Sequence, residues 1–431
     1  MKKLLLILLF IHQLAYAQDA AWEKDAAPLH HAQKALAEVI IHDIFSPPVA
    51  SRIYAYANMA AYEALVKQHP AYHSFYQQVK TFPDIPKPAK KINGSLAAVN
   101  AFLITAKSLV FSEKMMQDSI DNILKWYSKK ISPADFVASM EYGKQVADAV
   151  IKWAAKDKYK ETRSLRRYKF LKEEGKWIPT PPVYMAAIEP YWNRIRPILL
   201  DSCSQFKPAM AVPFSTDTAS VFYRQALEVY NTCSQLSTEN RAIASFWDCN
   251  PFAVTTEGHL NFAAKKISPG GHWISIAGLA CANTNADIMK TAAAYSLTAI
   301  ALFDGFIVCW DEKYRSNVIR PETYINKYMD ESWRPLLQTP PFPEYSSGHS
   351  VVSTAAATVL TYLFGDHFAY DDNTEVDFGL PVKNFSSFTD ACNEAAISRL
   401  YGGIHYRAAI EEGQKQGGDL GKWILGKIRL M

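Results

Sequence analysis

Residues 345–350, YSSGHS, place Ser347 two residues before His349. A serine near a histidine could be a nucleophile beside its general base. Gly348 indicates a different chemistry, because glycine lets the backbone approach a ligand closely and the small, apolar run after it is typical of a helix. The segment would then lie at a helix N-terminus, where unpaired N–H groups and the helix dipole attract an oxyanion. A capping serine beside a structural histidine explains the same residues.

Two cationic residues, Lys313 and Arg320, precede this segment in the stretch KYRSNVIRP. Pro321 ends or redirects a helix, so we expect Arg320 at a turn. Two turns of helix would bring the Lys313 head to the same side as Arg320. Taken alone, the pair is also typical of a solvated helix face.

The segment SRLYGGIH, residues 398–405, supplies a third cation and a second histidine. We expect a helix from about Ser387 through Arg399 that ends at the double glycine, which can adopt positive φ. His405 would follow in the turn before another helix. A histidine held between rigid elements is typical of a functional residue, although a single one is weak evidence.

The elements that must position these residues are predicted to be helices. Ser132 and Pro133 provide an N-cap and a first-turn proline. A core-facing stripe follows at spacings of three and four: Phe136, Met140, Gly143, Ala147 and Val150. Ser46 and Ser237 mark further helix starts. No stretch alternates apolar and polar residues between hairpin turns, so strands should be few and the fold class all-α, a large helical bundle.

Three parts are predicted along the chain: a signal peptide at 1–17, an N-terminal helical region at 18–200 and a C-terminal helical region at 201–431 that carries the chemistry. One continuous domain explains the helical pattern equally well. Proline clusters such as 339–343 are typical of connections within a domain, because the segments on both sides stay helical and apolar.

The N-terminus, MKKLLLILLFIHQLAYA, has two lysines before an apolar run and ends in a small-x-small cleavage pattern. These features predict a secretory signal peptide, and hence a periplasmic or secreted protein; an uncleaved membrane anchor is the alternative. Cleavage would remove Lys2 and Lys3 and lower the formal net charge from +4 to +2. A nearly neutral chain lacks the basic surface that nucleic-acid binding requires.

The run from Ala292 to Trp310 is nearly long enough to span a bilayer. Its Asp304 would be costly within a membrane. We therefore expect a helix buried on all sides in the bundle and no stable membrane span.

Six cysteines are widely spaced and contain no CxxC pair, which excludes the common zinc and redox motifs. An oxidising compartment would permit disulfides among them. Free buried cysteines are an equally good interpretation.

The order of the three segments can be written as Lys313-x6-Arg320-Pro321, then Ser347-Gly348-His349, then Ser398-Arg399-x5-His405. This order resembles the motifs K-x6-RP, PSGH and SR-x5-H-x3-D of the superfamily of type 2 phosphatidic-acid phosphatases and vanadium-dependent haloperoxidases. The match covers about residues 300–415. It implies the helical-bundle fold of that superfamily.

The resemblance implies a single oxyanion site for phosphate or vanadate. Its implied anion-binding residues are Lys313, Arg320, Ser347, Gly348 and Arg399. His349 would be the acid–base residue, and His405 either the nucleophile of a phosphatase or the axial ligand of vanadate in a haloperoxidase. Vanadate is a five-coordinate likeness of the phosphoryl-transfer transition state, so the same cations and donors suit both.

Two positions depart from the superfamily pattern. Ser346 stands where the motif has proline, which should alter only the approach to the turn. Ala409 stands where the third motif has aspartate, so the carboxylate expected to orient His405 is missing there. A phosphohistidine enzyme depends on a well-held, basic imidazole. The departure therefore favours a haloperoxidase, in which a backbone carbonyl could hold His405. Asp248 could pair with Arg399 instead, although a helix-capping or surface role explains Asp248 as well.

Further segments are similar to bacterial vanadium haloperoxidases, including iodide-oxidising ones: FWDCNP at 246–251, GGHW at 270–273 and CWDEKY before Lys313. In that group, aromatic residues before the lysine and before the serine line the pocket. Trp310 and Phe342 match these positions and are predicted to form a halide pocket, although core packing explains them equally. His259 and His272 have no motif support and are predicted to be structural.

The resemblance therefore implies an exported enzyme that binds vanadate and oxidises iodide or bromide with hydrogen peroxide. Lys313 would polarise the bound peroxide and His349 would handle the proton. One alternative is a soluble periplasmic acid phosphatase that forms a phosphohistidine at His405. Another is a non-catalytic helical protein that binds an oxyanion. The presence of both histidines disfavours this binding protein, because binding of an anion requires neither imidazole.

Overall fold

The computed structural model describes Trp22 and residues 24–257, 260–263 and 265–430. The predicted signal peptide at 1–17 and His259 lie outside the described residues. The structure is 57% helical, with 14 helices and almost no strands in the described part. The predicted all-α class is therefore confirmed.

The first half of the chain contributes six helices. Their bounds are Ala27–His42 (α1), Pro47–Val66 (α2), Gly94–Lys107 (α3), Glu113–Ser128 (α4), Pro133–Ala154 (α5) and Tyr159–Arg163 (α6). A long connection with one short 3-10 turn, Trp192–Arg194, leads to the second half.

The second half contains eight helices and two small hairpins. The helices are Val221–Ser234 (α7), Thr238–Phe246 (α8), Pro269–Asn283 (α9), Ile288–Ser316 (α10), Pro321–Tyr328 (α11), Gly348–Phe364 (α12), Phe388–Tyr401 (α13) and Arg407–Lys427 (α14). The strands form antiparallel pairs, Val254–Glu257 (β1) with Leu260–Ala263 (β2) and Tyr370–Asp372 (β3) with Lys383–Phe385 (β4).

Helix starts follow the capping signals in the sequence. The Ser132 side chain accepts a hydrogen bond from the Asp135 N–H at the start of α5. Ser237 does the same for Asn240 at the start of α8. Each serine satisfies an N–H group that has no partner within the helix.

The long apolar helix α10 lies at the centre of the bundle. By length and composition it could cross a membrane, but every residue of its most apolar window is buried within the protein. Asp304 on this helix accepts hydrogen bonds from the N–H groups of Ile198 and Leu199, both at 2.8 Å. The prediction of a helix buried on all sides is confirmed.

Helices α12 and α14 pack closely because α14 presents glycines to α12. A Cβ atom at Gly413 would lie 2.9 Å from the Ser347 carbonyl oxygen, and one at Gly421 would lie 2.6 Å from the Thr358 Cβ. The Ser347 N–H also donates to the Ala409 carbonyl at 3.0 Å. These contacts fix the N-terminal end of α12 against α14.

One hydrophobic cluster runs from Ala26 to Leu430 and includes residues on both sides of position 200. The division into regions at 18–200 and 201–431 stays a prediction. All six cysteines are free, so the interpretation of unpaired cysteines is confirmed.

Candidate active site

The chain turns sharply between Lys313 and Arg320. Helix α10 ends at Ser316, Asn317 adopts a left-handed conformation with φ of 54°, and Arg320 is the N-cap residue of α11. The expectation that two turns of continuous helix join the two cations is therefore wrong. Arg320 is at a turn as predicted, and a break in the helix brings it beside the loop that precedes α12.

Lys313 is fully buried and held by backbone carbonyl groups. Its Nζ donates to the carbonyl oxygens of Pro343, Glu344 and Ser346 at 3.1, 3.0 and 2.5 Å. Burial lowers the pKa of Lys313 to about 8. An ammonium with three donors and three carbonyl partners is fixed in position and acts on the site through its charge.

Arg320 is also fully buried. Its Nε donates to the Phe342 carbonyl at 2.9 Å, and its Nη1 donates to the Ile404 carbonyl at 2.8 Å and lies 3.3 Å from His405 Nε2. Its Nη2 is buried without a hydrogen-bond partner. Burial lowers the pKa of Arg320 to about 10. A buried guanidinium nitrogen without a partner is costly, which favours an anion as its missing acceptor.

His405 is oriented by a carboxylate, but not at the position that the motif predicts. Ala409 is buried and contributes only its backbone there. Instead, His405 Nδ1 lies 2.7 Å from Glu344 Oε1, which also accepts the Tyr406 N–H at 3.0 Å. The inference that His405 lacks a carboxylate orienter is therefore wrong, because Glu344 supplies it from the loop before α12.

The Glu344 contact determines which nitrogen of His405 is available. A carboxylate that accepts from Nδ1–H leaves Nε2 unprotonated, with its lone pair on the side of Arg320. Burial and the nearby cations hold the pKa of His405 well below its usual value. Burial raises the pKa of Glu344 to about 7. His405 is thus a neutral imidazole whose Nε2 can act as a ligand or nucleophile.

The YSSGHS segment forms a helix N-terminus, as predicted. Ser347 is the N-cap residue of α12, and its Oγ accepts the Ser350 N–H at 3.3 Å. Gly348 is the first residue of the helix, and a Cβ there would lie 3.6 Å from the Trp310 ring. Ser346 Oγ donates to Gln416 Oε1 at 2.8 Å, and the Tyr345–Ser346 peptide bond is cis. The first N–H groups of α12 thus adjoin Trp310 in the wall of the cleft.

His349 and Arg399 share one acceptor, the Trp247 carbonyl. Arg399 Nη2 donates to it at 2.6 Å, and His349 Nε2 lies 3.1 Å from it. Since a carbonyl can only accept, His349 carries its proton on Nε2 and leaves Nδ1 free. Burial and Arg399 hold the pKa of His349 well below its usual value. His349 is therefore a neutral base beside a cation.

Six of the predicted site residues line one cleft, whereas Lys313, Arg320 and Ser347 are not among its lining residues. It is lined by both aromatic candidates and by residues of the anion site, among them Trp310, Phe342, Gly348, His349, Arg399 and His405. The Trp310 and Phe342 rings lie 4.9 Å apart between centroids. Both rings are buried, so they serve core packing and line the cleft at once. Their proposed role as a halide pocket stays a prediction.

Asp248 does not replace the missing aspartate of the motif. Its carboxylate forms an ion pair with Lys266 at 2.5 Å. Among the described residues, Arg399 instead donates to the Trp247 carbonyl and to Ser398 Oγ. Asp248 lines the cleft and raises the pKa of Arg399 against the lowering effect of burial.

Two groups at the site were missed by the sequence motifs. Glu344 was detectable in principle, since it is a single charged residue in a proline-rich, apolar stretch three residues before Ser347. The Trp247 carbonyl could not be detected from the sequence, because every residue type has a backbone carbonyl that can accept a hydrogen bond. Three buried cations meet two carboxylates at the site, Glu344 and Asp248, and Asp248 is already paired with Lys266. The charge of the site therefore favours an oxyanion.

The comparisons with known proteins agree with this geometry. The VCPO second helical-bundle domain matches residues 293–431. The structure of a bacterial vanadium-dependent iodoperoxidase is similar to this chain, with 49% identity, a TM-score of 0.89, and coverage of 94% of this chain and 97% of that chain. No match was found among curated proteins.

Holo and apo structures of a bacterial vanadium-dependent chloroperoxidase are more distant. Each has 15% identity and a TM-score of 0.66 and covers 89% of this chain, with 93% and 95% of the chloroperoxidase chains covered. At this identity they support the fold alone. On the 49% identity over nearly the whole chain, the protein belongs to the vanadium-dependent haloperoxidase family.

Proposed function

We propose that this protein is a vanadate-dependent haloperoxidase that oxidises halide with hydrogen peroxide, and that iodide is its preferred halide. The observation that carries the proposal is the pairing of an unprotonated His405 Nε2 with the buried cations Lys313, Arg320 and Arg399. The 49% identical iodoperoxidase supports iodide as the preferred halide.

The site residues fit vanadate. His405 Nε2 would be the ligand atom, and the unpartnered Nη2 of Arg320 would gain an acceptor. Arg399 and Lys313 would neutralise further oxygen charge, and Ser347 Oγ and the Gly348 N–H would donate hydrogen bonds. When bound, vanadate supplies a redox-inert Lewis acid that makes hydrogen peroxide susceptible to attack by halide.

His349 is the group suited to move a proton. Oxidation of halide by hydrogen peroxide to hypohalous acid consumes one proton and releases water. The Nδ1 atom of His349 is free to accept and return that proton, because Nε2–H is committed to the Trp247 carbonyl. Its lowered pKa keeps it neutral between turnovers.

The aromatic residues support a pocket for a large halide. Trp310 and Phe342 are buried beside the cations, and the Lys313 Nζ lies 5.8 and 5.1 Å from their ring centroids. A polarizable anion such as iodide loses less hydration free energy than chloride on entering such a pocket. Phe342→Ala is expected to weaken the preference for iodide over bromide more than it lowers vanadate binding.

A phosphatase is the second candidate, and Glu344 favours it more than the sequence did. A carboxylate that orients His405 is what a phosphohistidine enzyme needs. The same imidazole could then take up a phosphoryl group while His349 protonates the leaving group. Family membership with a 49% identical iodoperoxidase favours the haloperoxidase.

The deciding experiment uses metal-free protein in two parallel assays. One adds orthovanadate, hydrogen peroxide and either iodide or bromide, and the other adds p-nitrophenyl phosphate alone. We expect iodide oxidation that requires vanadate, is lost in His405→Ala and persists in the control His367→Ala, whose histidine is exposed away from the cleft. Phosphate release without halide oxidation would establish the phosphatase, and oxyanion binding without either activity would establish a binding protein.

We further propose that the protein is exported. Support comes from the two lysines, the apolar run and the Ala15-Tyr16-Ala17 pattern of the N-terminus. Expression with the native N-terminus in a bacterial host, followed by mass determination of periplasmic and cytoplasmic material, tests this. A periplasmic protein that begins at Gln18 supports export, whereas uncleaved cytoplasmic protein contradicts it.

A further inference from the structure

Four buried polar side chains meet at the wall of the cleft, and Cys249 among them lines it. Cys249 follows α8, His272 lies in the first turn of α9, Asp372 ends β3, and Glu375 follows three residues later. All four are at most 5% exposed. Burial of two carboxylates, a thiol and an imidazole in one cluster costs free energy of hydration, unless a cation or hydrogen bonds compensate for it.

The atoms of three of these residues are spaced as ligands of one metal ion. His272 Nδ1 lies 3.6 Å from Cys249 Sγ and 3.1 Å from Glu375 Oε1, and the sulfur lies 3.9 Å from the same oxygen. Around a tetrahedral zinc ion, ordinary bond lengths put sulfur and nitrogen about 3.5 Å apart and nitrogen and oxygen about 3.3 Å apart. The cluster therefore needs shifts of only a few tenths of an ångström to bind zinc.

The fourth residue completes the outer shell of such a site. His272 Nε2 lies 2.8 Å from Asp372 Oδ2 and 2.7 Å from Thr374 Oγ1. Histidines that bind a metal through one ring nitrogen commonly donate the other N–H to a carboxylate, which fixes the ring and the tautomer. Asp372 would thus hold Nδ1 of His272 toward Cys249 and Glu375.

We propose that Cys249, His272 and Glu375 bind a zinc ion, with a solvent molecule as the fourth ligand. A thiolate, an imidazole and a carboxylate form a mixed donor set that suits zinc better than calcium or magnesium, which prefer oxygen alone. The thiolate and the Glu375 carboxylate offset the two positive charges of the ion. The sequence analysis predicts a structural role for His272, and this proposal adds a role as a metal ligand.

The ion would support the anion site without touching the anion. His272 stacks on the Trp247 ring, with centroids 4.6 Å apart and an interplanar angle of 19°. The carbonyl of Trp247 accepts from Arg399 and His349. Zinc bound two residues later, at Cys249, would fix this carbonyl and hence both side chains. The proposed ion would therefore position Arg399 and His349 and take no direct part in halide oxidation.

The test is the metal content of the full chain purified without added chelator. We expect about one zinc ion per chain when the metal content is measured by inductively coupled plasma mass spectrometry. Cys249→Ser and His272→Gln should lose it, while Cys281→Ser, a change at a buried cysteine farther along α9, should keep it. Zinc retained equally by all variants would mean an adventitious ion and would overturn the proposal.

Cobalt substitution in the wild-type chain keeps the test decisive if a variant does not fold. Cobalt bound by the cluster should give the visible bands of a tetrahedral site together with a thiolate-to-cobalt charge-transfer band. Absence of the thiolate band, or failure of the metal-free chain to bind cobalt or zinc at all, would show that the cluster is a metal-free ion-pair network.

Discussion

Replacement of Glu344 by glutamine has two opposing effects on anion binding. Glutamine has the same shape, and its carbonyl oxygen can accept the bonds that Oε1 takes from His405 Nδ1 and the Tyr406 N–H. It removes the negative charge that makes the His405 imidazole a better donor to a metal. It also puts an NH2 group at the position of Oε2, which is buried without a partner. Loss of the carboxylate thus weakens His405 as a ligand but also removes a repulsion that acts on any anion.

A pair of anions resolves this competition. Vanadate forms a bond to the histidine, whereas inorganic phosphate bound at equilibrium feels mainly the cations and the carboxylate. At a pH where both anions carry one negative charge, the repulsion largely cancels in the ratio of the vanadate dissociation constant to the phosphate dissociation constant. This ratio then reports mainly the bond to His405. Loss of an outer-shell partner commonly weakens metal binding by about 10–100-fold, or about 1.4–2.7 kcal/mol. We expect Glu344→Gln to raise this ratio by that factor, measured by calorimetric titration of metal-free protein.

Glu63→Gln is the matched control. Glu63 is also fully buried, accepts a backbone N–H from Phe75 at 2.6 Å, and has a pKa raised by burial to about 7. It lies on α2 and contacts neither His405 nor the cations of the site. The ratio should be unchanged in this variant. An unchanged ratio in folded Glu344→Gln would refute the role assigned to Glu344.

The remaining predictions concern stability. Glu63 has an ordinary pKa of 4.5 when unfolded and about 7 when folded, so its contribution is complete below pH 4.5 and is lost as the pH rises to 7. Relative to Glu63→Gln, the wild-type free energy of unfolding should fall by about 3 kcal/mol over this pH range in urea titrations. The control Glu141→Gln, at an exposed glutamate, should leave this fall in the free energy of unfolding unchanged. Gly417→Ala should destabilise by about 1–3 kcal/mol, because the methyl group would overlap the Val351 carbonyl. Gly426→Ala, with open space around it, should stabilise by up to about 1 kcal/mol, and equal urea midpoints for both glycine variants would contradict the packing argument.

Local signals predicted the helical framework well. Ser132 and Ser237 cap helices where the sequence placed them, because a serine that accepts an N–H acts within four residues. The buried helix α10 was likewise readable from its composition. The break at Asn317 was not, because the following residues carry no glycine and Pro321 marks only the start of the next helix.

The order of the motifs predicted side chains that the structure places near one another, with Gly348, His349, Arg399 and His405 in the wall of one cleft and Arg320 beside His405. The contacts among them could not be predicted from residue type. Lys313 and Arg320 meet through a change of chain direction, and His405 finds its carboxylate 61 residues earlier in the sequence. Substitution of Ala409 for aspartate in the motif is therefore compensated by a residue that only the fold brings near.

The partners of Lys313 have a consequence for the effect of salt. The ammonium group is already stripped of water, and backbone carbonyl groups occupy all three of its hydrogens. Mobile ions screen exposed charges within about 10 Å at moderate ionic strength, but they screen a buried charge much less. Lys313 therefore attracts a bound oxyanion almost equally strongly at low and at high ionic strength. Oxyanion affinity should change little when the ionic strength is raised with a salt whose ions do not bind in the cleft.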